Sequence, residues 1–295
     1  MRLKFHFWLC LLTVLLLGAG CKTYSPKLVS VQRNLEYARP DGIPLMLDLY
    51  LPKEATNHLP VLIWIHGGAW KAGDKERCPV AFLAQTGYAV ASIEYRLIDH
   101  GPFPAQLYDC KGAVRWLKAN ADRFNLDAKH IGVFGASAGG HLAALLGTTP
   151  DIKDLEGDVG GNLDQTSRVQ AICAFYPPTD LNLLVTNPKW RASPDSDIGK
   201  LLGGPLEQNL DKAARANPVN YITPDDAPFY IVHGDKDTMV KLDQSKILHA
   251  ALLKAGVESR LYVVPGKGHG IGAPPQAAQE ILEFLDKQLK ADAKK

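Results

Sequence analysis

Residues 131–141 read IGVFGASAGGH. The run Ile131–Phe134 is short and apolar, as in a buried strand. The stretch Ala138–Leu146 is apolar and rich in helix formers, so a helix is expected directly after Ser137. One hydroxyl therefore stands at a strand-to-helix turn, with Gly135 and Gly139 two positions to either side. Glycine weakens both a strand end and a helix start, so its double use asks for a compensating gain. A turn sharp enough to strain the serine backbone needs small neighbours at both places, and that is the physical content of the G-x-S-x-G nucleophile elbow. A tight turn that merely contains serine would show the same five residues, so the surrounding chain has to decide.

Outward from the elbow, apolar runs alternate with helical stretches. SVQRNLEYARPDGIPLMLDLYLP (30–52) reads as two strands around a Pro-Asp-Gly turn, an antiparallel hairpin. Further strands are predicted at 61–66, 88–95, 131–134, 169–176, 228–234 and 260–266. Helices are predicted at 104–120, after Ser137, at 241–255 and at 275–290. Continuous apolar strands joined by helices imply an α/β fold: an eight-stranded, mostly parallel sheet with helices on both faces. Residues 148–168 and 180–225 break the rhythm and are polar. Ligands of such sheets bind beyond the carboxyl ends of the strands, so both segments are expected to overhang the site as a small lid.

The 295 residues suit one large domain, and the 46% of hydrophobic residues is enough for a sizeable core. A net charge of +2 with mixed signs leaves no nucleic-acid footprint. The first twenty residues, with Arg2 and Lys4 before an apolar stretch and then small residues, read as a secretory signal. Cys21 directly follows LGAG, which resembles the bacterial lipobox, although Gly18 stands where leucine is usual. The expected organisation is signal peptide 1–20, an acylated Cys21 as first mature residue, linker 21–30, catalytic domain 31–290 and basic tail 291–295. Simple cleavage near Ala19–Gly20 and a retained anchor are the competing readings. Export places the protein in the periplasm or, since Lys22 rather than aspartate follows the cysteine, on the outer membrane, with the membrane contacted only through the lipid. Cys78, Cys110 and Cys173 lie in apolar contexts and are expected as buried thiols rather than a disulfide framework. No metal-ligand spacing is present, and no metal or cofactor is expected.

A serine hydroxyl needs a base, an acid that orients the base, and donors for the oxyanion. His269, in the glycine-flanked loop PGKGHGI after the last strand, reaches the edge of the sheet to which Ser137 points. His66 and His141 precede any acid in chain order, and the order expected of this elbow is serine, acid, histidine. HGDKD (233–237) offers Asp235 and Asp237, Asp235 reading better as a turn residue, and Asp180 is a further competitor. HGGAW (66–70) follows a strand, and its small residues let the N–H groups of Gly67, Gly68 and Ala69 face a cavity, with Ala138 after the serine as another donor.

With these pieces in order, the chain resembles the α/β-hydrolase superfamily. Within it, the chain is similar to hormone-sensitive-lipase-like esterases and to the bacterial branch with feruloyl and acetyl-xylan esterases. HGGAW, ASIEYRL, GVFGASAGGHLAALLG, TSRVQAICAFYPPTDL, IVHGDKDTMV and GKGHG carry the resemblance. It implies Ser137 as nucleophile, Asp237 as acid and His269 as base, and scaffold roles for Arg96, Asp109 and His141. Ala69 departs from the H-G-G-G of the lipase-like pattern, and kynurenine formamidases also follow H-G-G with a residue and tryptophan. The expected function is hydrolysis of short-acyl carboxylic esters, small or carbohydrate-borne, such as acetyl or feruloyl esters of polysaccharides. A formamidase or amidase on the same triad and a non-catalytic envelope lipoprotein are the alternatives.

Overall fold

The Pro-Asp-Gly turn folds as its residues predict. Asp41 and Gly42 take positive φ in a short 3-10 turn, and β1 (Val29–Ala38) returns antiparallel as β2 (Leu45–Pro52). The computed structural model describes residues 24–55, 57–187, 189–190 and 193–290. The signal 1–20, Cys21 and the tail 291–295 lie outside the described residues. Inside the expected linker 21–30 the chain is already docked. Tyr24 packs edge-on against Tyr50, the Ser25 N–H donates to Gln85 Oε1, and Val29 opens β1.

The remaining strands are β3 (Leu59–Ile65), β4 (Ala89–Ile93), β5 (Leu126–Ala136), β6 (Ala171–Phe175), β7 (Phe229–Gly234) and β8 (Ser259–Val264). They form one eight-stranded sheet in the order β1-β2-β4-β3-β5-β6-β7-β8. Pairings through β2 are antiparallel and all others parallel. The expected eight strands are therefore present, with β5 starting five residues earlier than its apolar run suggests because Leu126 and Asp127 also pair with β3, ahead of a register shift. Helices α1 (Ala105–Ala119), α2 (Ala138–Thr148) and α3 (Asp243–Lys254) cover one face, and α4 (Pro275–Leu289) with the 3-10 segment Ala81–Thr86 covers the other. Side chains alternate along the strands: Val61, Ile63 and Ile65 enter the first core, Leu62 and Trp64 the second.

The two polar segments behave differently from each other. Residues 148–168 do not overhang the strand ends. They are pinned to α1 by three cations spaced a helical turn apart. Lys111 Nζ donates to the Thr149 carbonyl and to Glu156, Arg115 Nη2 to the Val159 carbonyl at 3.0 Å, and Lys118 Nζ to the Arg168 carbonyl at 2.7 Å. Positions i, i+4 and i+7 lie on one helix face, and a buried ammonium or guanidinium needs acceptors, so the segment follows the cations. From 180–225, among the described residues, Trp190 reaches the cavity over the strand ends.

Candidate active site

β5 ends at Ala136 and α2 begins at Ala138, leaving Ser137 alone at the junction with φ 54° and ψ −120°. A Cβ on Gly135 would sit 2.1 Å from the Gly139 carbonyl oxygen, and one on Gly139 would sit 2.1 Å from that of Ile65. Any side chain at either place collides with backbone, which is why the elbow needs both glycines. The strained serine is held by its N–H donating to the Phe175 carbonyl at 2.9 Å and by its own carbonyl accepting from the His141 N–H at 3.0 Å.

Three loops converge on Ser137 Oγ. The loop after β8 brings His269 Nε2 to 3.0 Å from it. The loop after β7 brings Asp237 Oδ2 to 2.7 Å from His269 Nδ1. Asp237 Oδ1 accepts from the N–H groups of Met239 and Val240 at 2.8 and 3.0 Å. Burial works to raise the pKa of this carboxyl, but donors from His233 and His269, the His269 charge and the Met239 N–H outweigh it and hold the group well below the usual carboxylate range. Asp237 is therefore an anion at neutral pH, and an anion facing Nδ1 keeps the proton there, leaving Nε2 free to accept from the serine.

The sequence competitors have other work. Asp235 accepts from the Gly266 N–H at 2.6 Å and shapes a turn. Asp180 caps the short helix 181–184 through the N–H groups of Asn182 and Leu183. His66 Nδ1 contacts the Gly67 carbonyl at 2.8 Å while its ring stacks on Tyr95. His141 is fully buried, with Nε2 2.6 Å from the Ala216 carbonyl, and burial pushes its pKa down to about 4, so it is a neutral scaffold residue. Arg96 and Asp109 pair at 2.8 Å, and Arg96 also reaches Asp41, tying the loop after β4 to α1 and to the β1–β2 turn.

The loop after β3 lies against the elbow, since a Cβ on Gly67 would meet the Ser137 Cβ at 3.3 Å. Gly68 has φ 116°, and Ala69 and Trp70 take φ 53° and 57°. Ala138 heads α2, so its N–H has no intrahelical acceptor. Among the described residues, four with positive φ are neither Gly, Asn nor Asp: Ala69, Trp70, Ser137 and Tyr176, and all four are in or beside this site. Backbone strain of this kind persists where surrounding structure imposes it, and it gathers at functional sites.

The sequence reading missed Tyr176, His233 and Trp190. The Tyr176 ring lies 4.6 Å from that of His269 at 64°, and burial raises its phenol to about 12. His233 is wholly buried, with Nδ1 2.7 Å from Ser245 Oγ and Nε2 2.8 Å from the Val240 carbonyl and 3.3 Å from Asp237 Oδ2. The H-G-x-x-D spelling held a signal for His233. Trp190 had none, since its partners are distant in sequence. The cavity over Ser137 measures 810 Å³ and is mostly apolar, with Trp64, Tyr176, Trp190, Met239 and Ile271 among its walls. Among the described residues no group of three or more His, Cys, Asp or Glu side chains is arranged to hold a metal ion.

An eight-stranded sheet with this strand order, and an elbow serine in line with a histidine and an aspartate from later loops, define an α/β-hydrolase. The chain belongs to the BD-FAE family, whose model matches residues 47–252. It is 30% identical over 230 residues to the esterase LipC of Mycobacterium tuberculosis, covering 76% of this chain and 56% of LipC. Among solved structures it is similar to a truncated carbohydrate esterase from gut microbiota, with TM-score 0.78 and 29% identity over 93% of this chain and 100% of that one. An acetyl ester-xyloside bifunctional hydrolase from Caldicellulosiruptor lactoaceticus aligns with TM-score 0.67 and 25% identity over 85% of this chain and 89% of that one. The chain spans about half the length of the curated relatives it matches.

Proposed function

We propose that this protein is a serine-dependent carboxylic ester hydrolase acting on short-acyl esters, including acetyl or feruloyl groups on carbohydrates. The observation that carries the reading is the line Ser137 Oγ–His269 Nε2 at 3.0 Å and His269 Nδ1–Asp237 Oδ2 at 2.7 Å. Ser137 Oγ attacks the ester carbonyl carbon as His269 Nε2 takes its proton. The carbonyl oxygen becomes an oxyanion that accepts from backbone N–H groups of the Gly67–Ala69 loop and of Ala138. The tetrahedral intermediate collapses, His269 returns the proton to the departing alcohol oxygen, and an acyl-serine remains. Water, deprotonated by His269, attacks that ester; the acid leaves and Ser137 recovers its proton. Asp237 stays ionised throughout and stabilises the imidazolium.

The carbohydrate part of the proposal draws support from the carbohydrate esterase and the acetyl ester-xyloside hydrolase among the similar structures. The cavity supports an organic ester over a polar polymer backbone lying deep in the site, since its walls are mainly apolar. The test is a panel of nitrophenyl esters from acetate to octanoate, acetylated xylan, methyl ferulate and formylkynurenine. We expect kcat/KM to peak at acetyl to butyryl and to fall steeply by octanoyl. A formamide that outcompetes every ester would replace the reading with an amidase.

The oxyanion loop has its own expected result. Gly68→Val places a side chain where φ is 116° and where a Cβ would meet the Ala72 carbonyl oxygen at 2.1 Å. The loop has to shift, so kcat is expected to fall by about 10²–10³, the cost of one lost oxyanion donor, with KM changing far less. An unchanged kcat in the folded variant removes this loop from the mechanism.

Location is part of the proposal: an exported enzyme, acylated at Cys21 and held on the outer membrane. Cys21→Ser is expected to release the protein or to leave its precursor uncleaved. Mass spectrometry of the mature N-terminus decides the point, and an unmodified Cys21 there refutes the anchor.

A further inference from the structure

The cavity straddles the sheet. Trp64, Val80, Phe175 and Ala273 on one side belong to the core under α4. Trp190, Ala69 and Met239 on the other belong to, or pack against, the core under α1, α2 and α3. These two sets of walls, the first and the second lobe, face the cavity that Ser137 and His269 also line. In ester cleavage the departing oxygen takes its proton from His269 and so leaves on the histidine side. His269 opens the segment that continues through Ile271 and Ala273 into the first lobe. The acyl chain, attached to the same carbon, extends away from that side toward the second lobe.

We propose that Trp190 is the end wall of the acyl pocket and sets the longest acyl group the enzyme accepts, an inference that rests on the serine-esterase reading above. Trp190 comes from the polar insertion 180–225 yet is only 6% exposed. Its Nε1–H donates to the Met239 carbonyl at 2.7 Å, and its ring lies 6.2 Å from that of Trp70 at 63°. Asn187 Nδ2 donates to the carbonyls of Thr238 and Met239 at 2.9 and 3.0 Å. The indole is thus fastened to the residue whose N–H holds Asp237 and rests on the residue next to Ala69. A side chain held on two sides cannot swing away from a long chain, so it excludes by collision. A flexible residue at the same place would set no sharp limit.

The experiment compares wild type, Trp190→Ala, Trp190→Leu and Trp190→Phe in two substrate series. One varies the acyl group on nitrophenol from acetate to octanoate; the other keeps acetyl and enlarges the alcohol from phenyl to naphthyl. Folding is checked by circular dichroism and Tm. Trimming the wall in Trp190→Ala or Trp190→Leu is expected to raise the octanoate-to-acetate ratio of kcat/KM by about tenfold or more, the scale on which pocket size discriminates acyl groups. The naphthyl-to-phenyl ratio should stay near wild type. Trp190→Phe, which keeps a ring but loses the donor, should retain most of the cut-off. An unchanged octanoate ratio, or a shift confined to the alcohol series, overturns the proposal. Should both trimmed variants misfold, a crystal structure of wild type phosphonylated at Ser137 with a hexyl phosphonate decides. Contact of the chain with Trp190 supports the proposal, and a chain lying against Ile271 and Ala273 overturns it. Failure of the esterase reading itself is separate, since it shows as folded wild type that turns over no ester in either series, whereas wild type that turns over esters but prefers octanoate overturns the cut-off.

Discussion

Ser137→Ala is expected to lower kcat by about 10⁶, the usual cost of deleting the nucleophile of a triad, while the fold remains. The backbone holds the elbow, through Ser137 N–H to the Phe175 carbonyl and through glycines 135 and 139, and none of these contacts uses the hydroxyl. Alanine is no worse than serine at φ 54°, so Tm should move little. What disappears is the oxygen that forms the acyl intermediate. His269→Ala should lose a comparable factor, because the hydroxyl then has no acceptor for its proton, and the double variant should be little worse than either single one. Turnover near wild type in a folded Ser137→Ala protein would falsify the mechanism, and it would leave the non-catalytic or a different-nucleophile reading in its place.

Asp237→Asn is expected to cost about 10⁴ in kcat with little change in KM, the effect of presenting the wrong imidazole tautomer to a serine. The direction follows from the donors around the side chain. Oδ1 accepts from the N–H groups of Met239 and Val240, so in asparagine the amide oxygen takes that place and the NH₂ turns toward His269. Nδ1 must then accept, the proton moves to Nε2, and Nε2 can no longer take one from Ser137. The NH₂ also faces His233 Nε2, 3.3 Å from the present Oδ2, so some stability is lost as well. The wild-type carboxyl has a pKa well below its unfolded value. Its contribution to stability is therefore complete above the unfolded pKa and is lost as pH falls through the folded one. Asp237→Asn should flatten that acid-side loss. Thermal melts against pH, beside steady-state kinetics, check both halves; full activity in the folded variant would return the acid role to another residue.

Sheet and elbow were legible because each rests on local rules. A buried strand announces itself by its apolar run, and Pro40-Asp41-Gly42 by the φ values a tight turn needs. The elbow is readable because 135 and 139 tolerate no side chain, and a steric veto of that kind writes itself into two letters. Chain order alone kept His66 and His141 from the base position. Both aspartates close the same strand two residues apart, and Asp237 was separable from Asp235 through the turn reading of Asp235 and through the resemblance.

The polar insertion 148–168 was misjudged for a different reason. Polarity says that a segment is not core, but not which surface it follows. Residues 148–168 follow the cations of α1 at 111, 115 and 118, whereas the sequence was read only for the apolar periodicity of that helix. Trp190 is the opposite case, a buried wall recruited from a polar stretch. By itself the sequence determined the strand-and-helix order and the elbow, and it singled out Ser137, His269 and a nearby acid as the candidates, because steric and periodic rules act within a few residues. The tertiary structure alone decided that His233 and two N–H groups share the Asp237 carboxylate, that Tyr176 braces His269, and that Trp190 lines the cavity. These are contacts across loops that meet only once the parallel sheet has brought the carboxyl ends of its strands together, and no local pattern encodes a partner that distant.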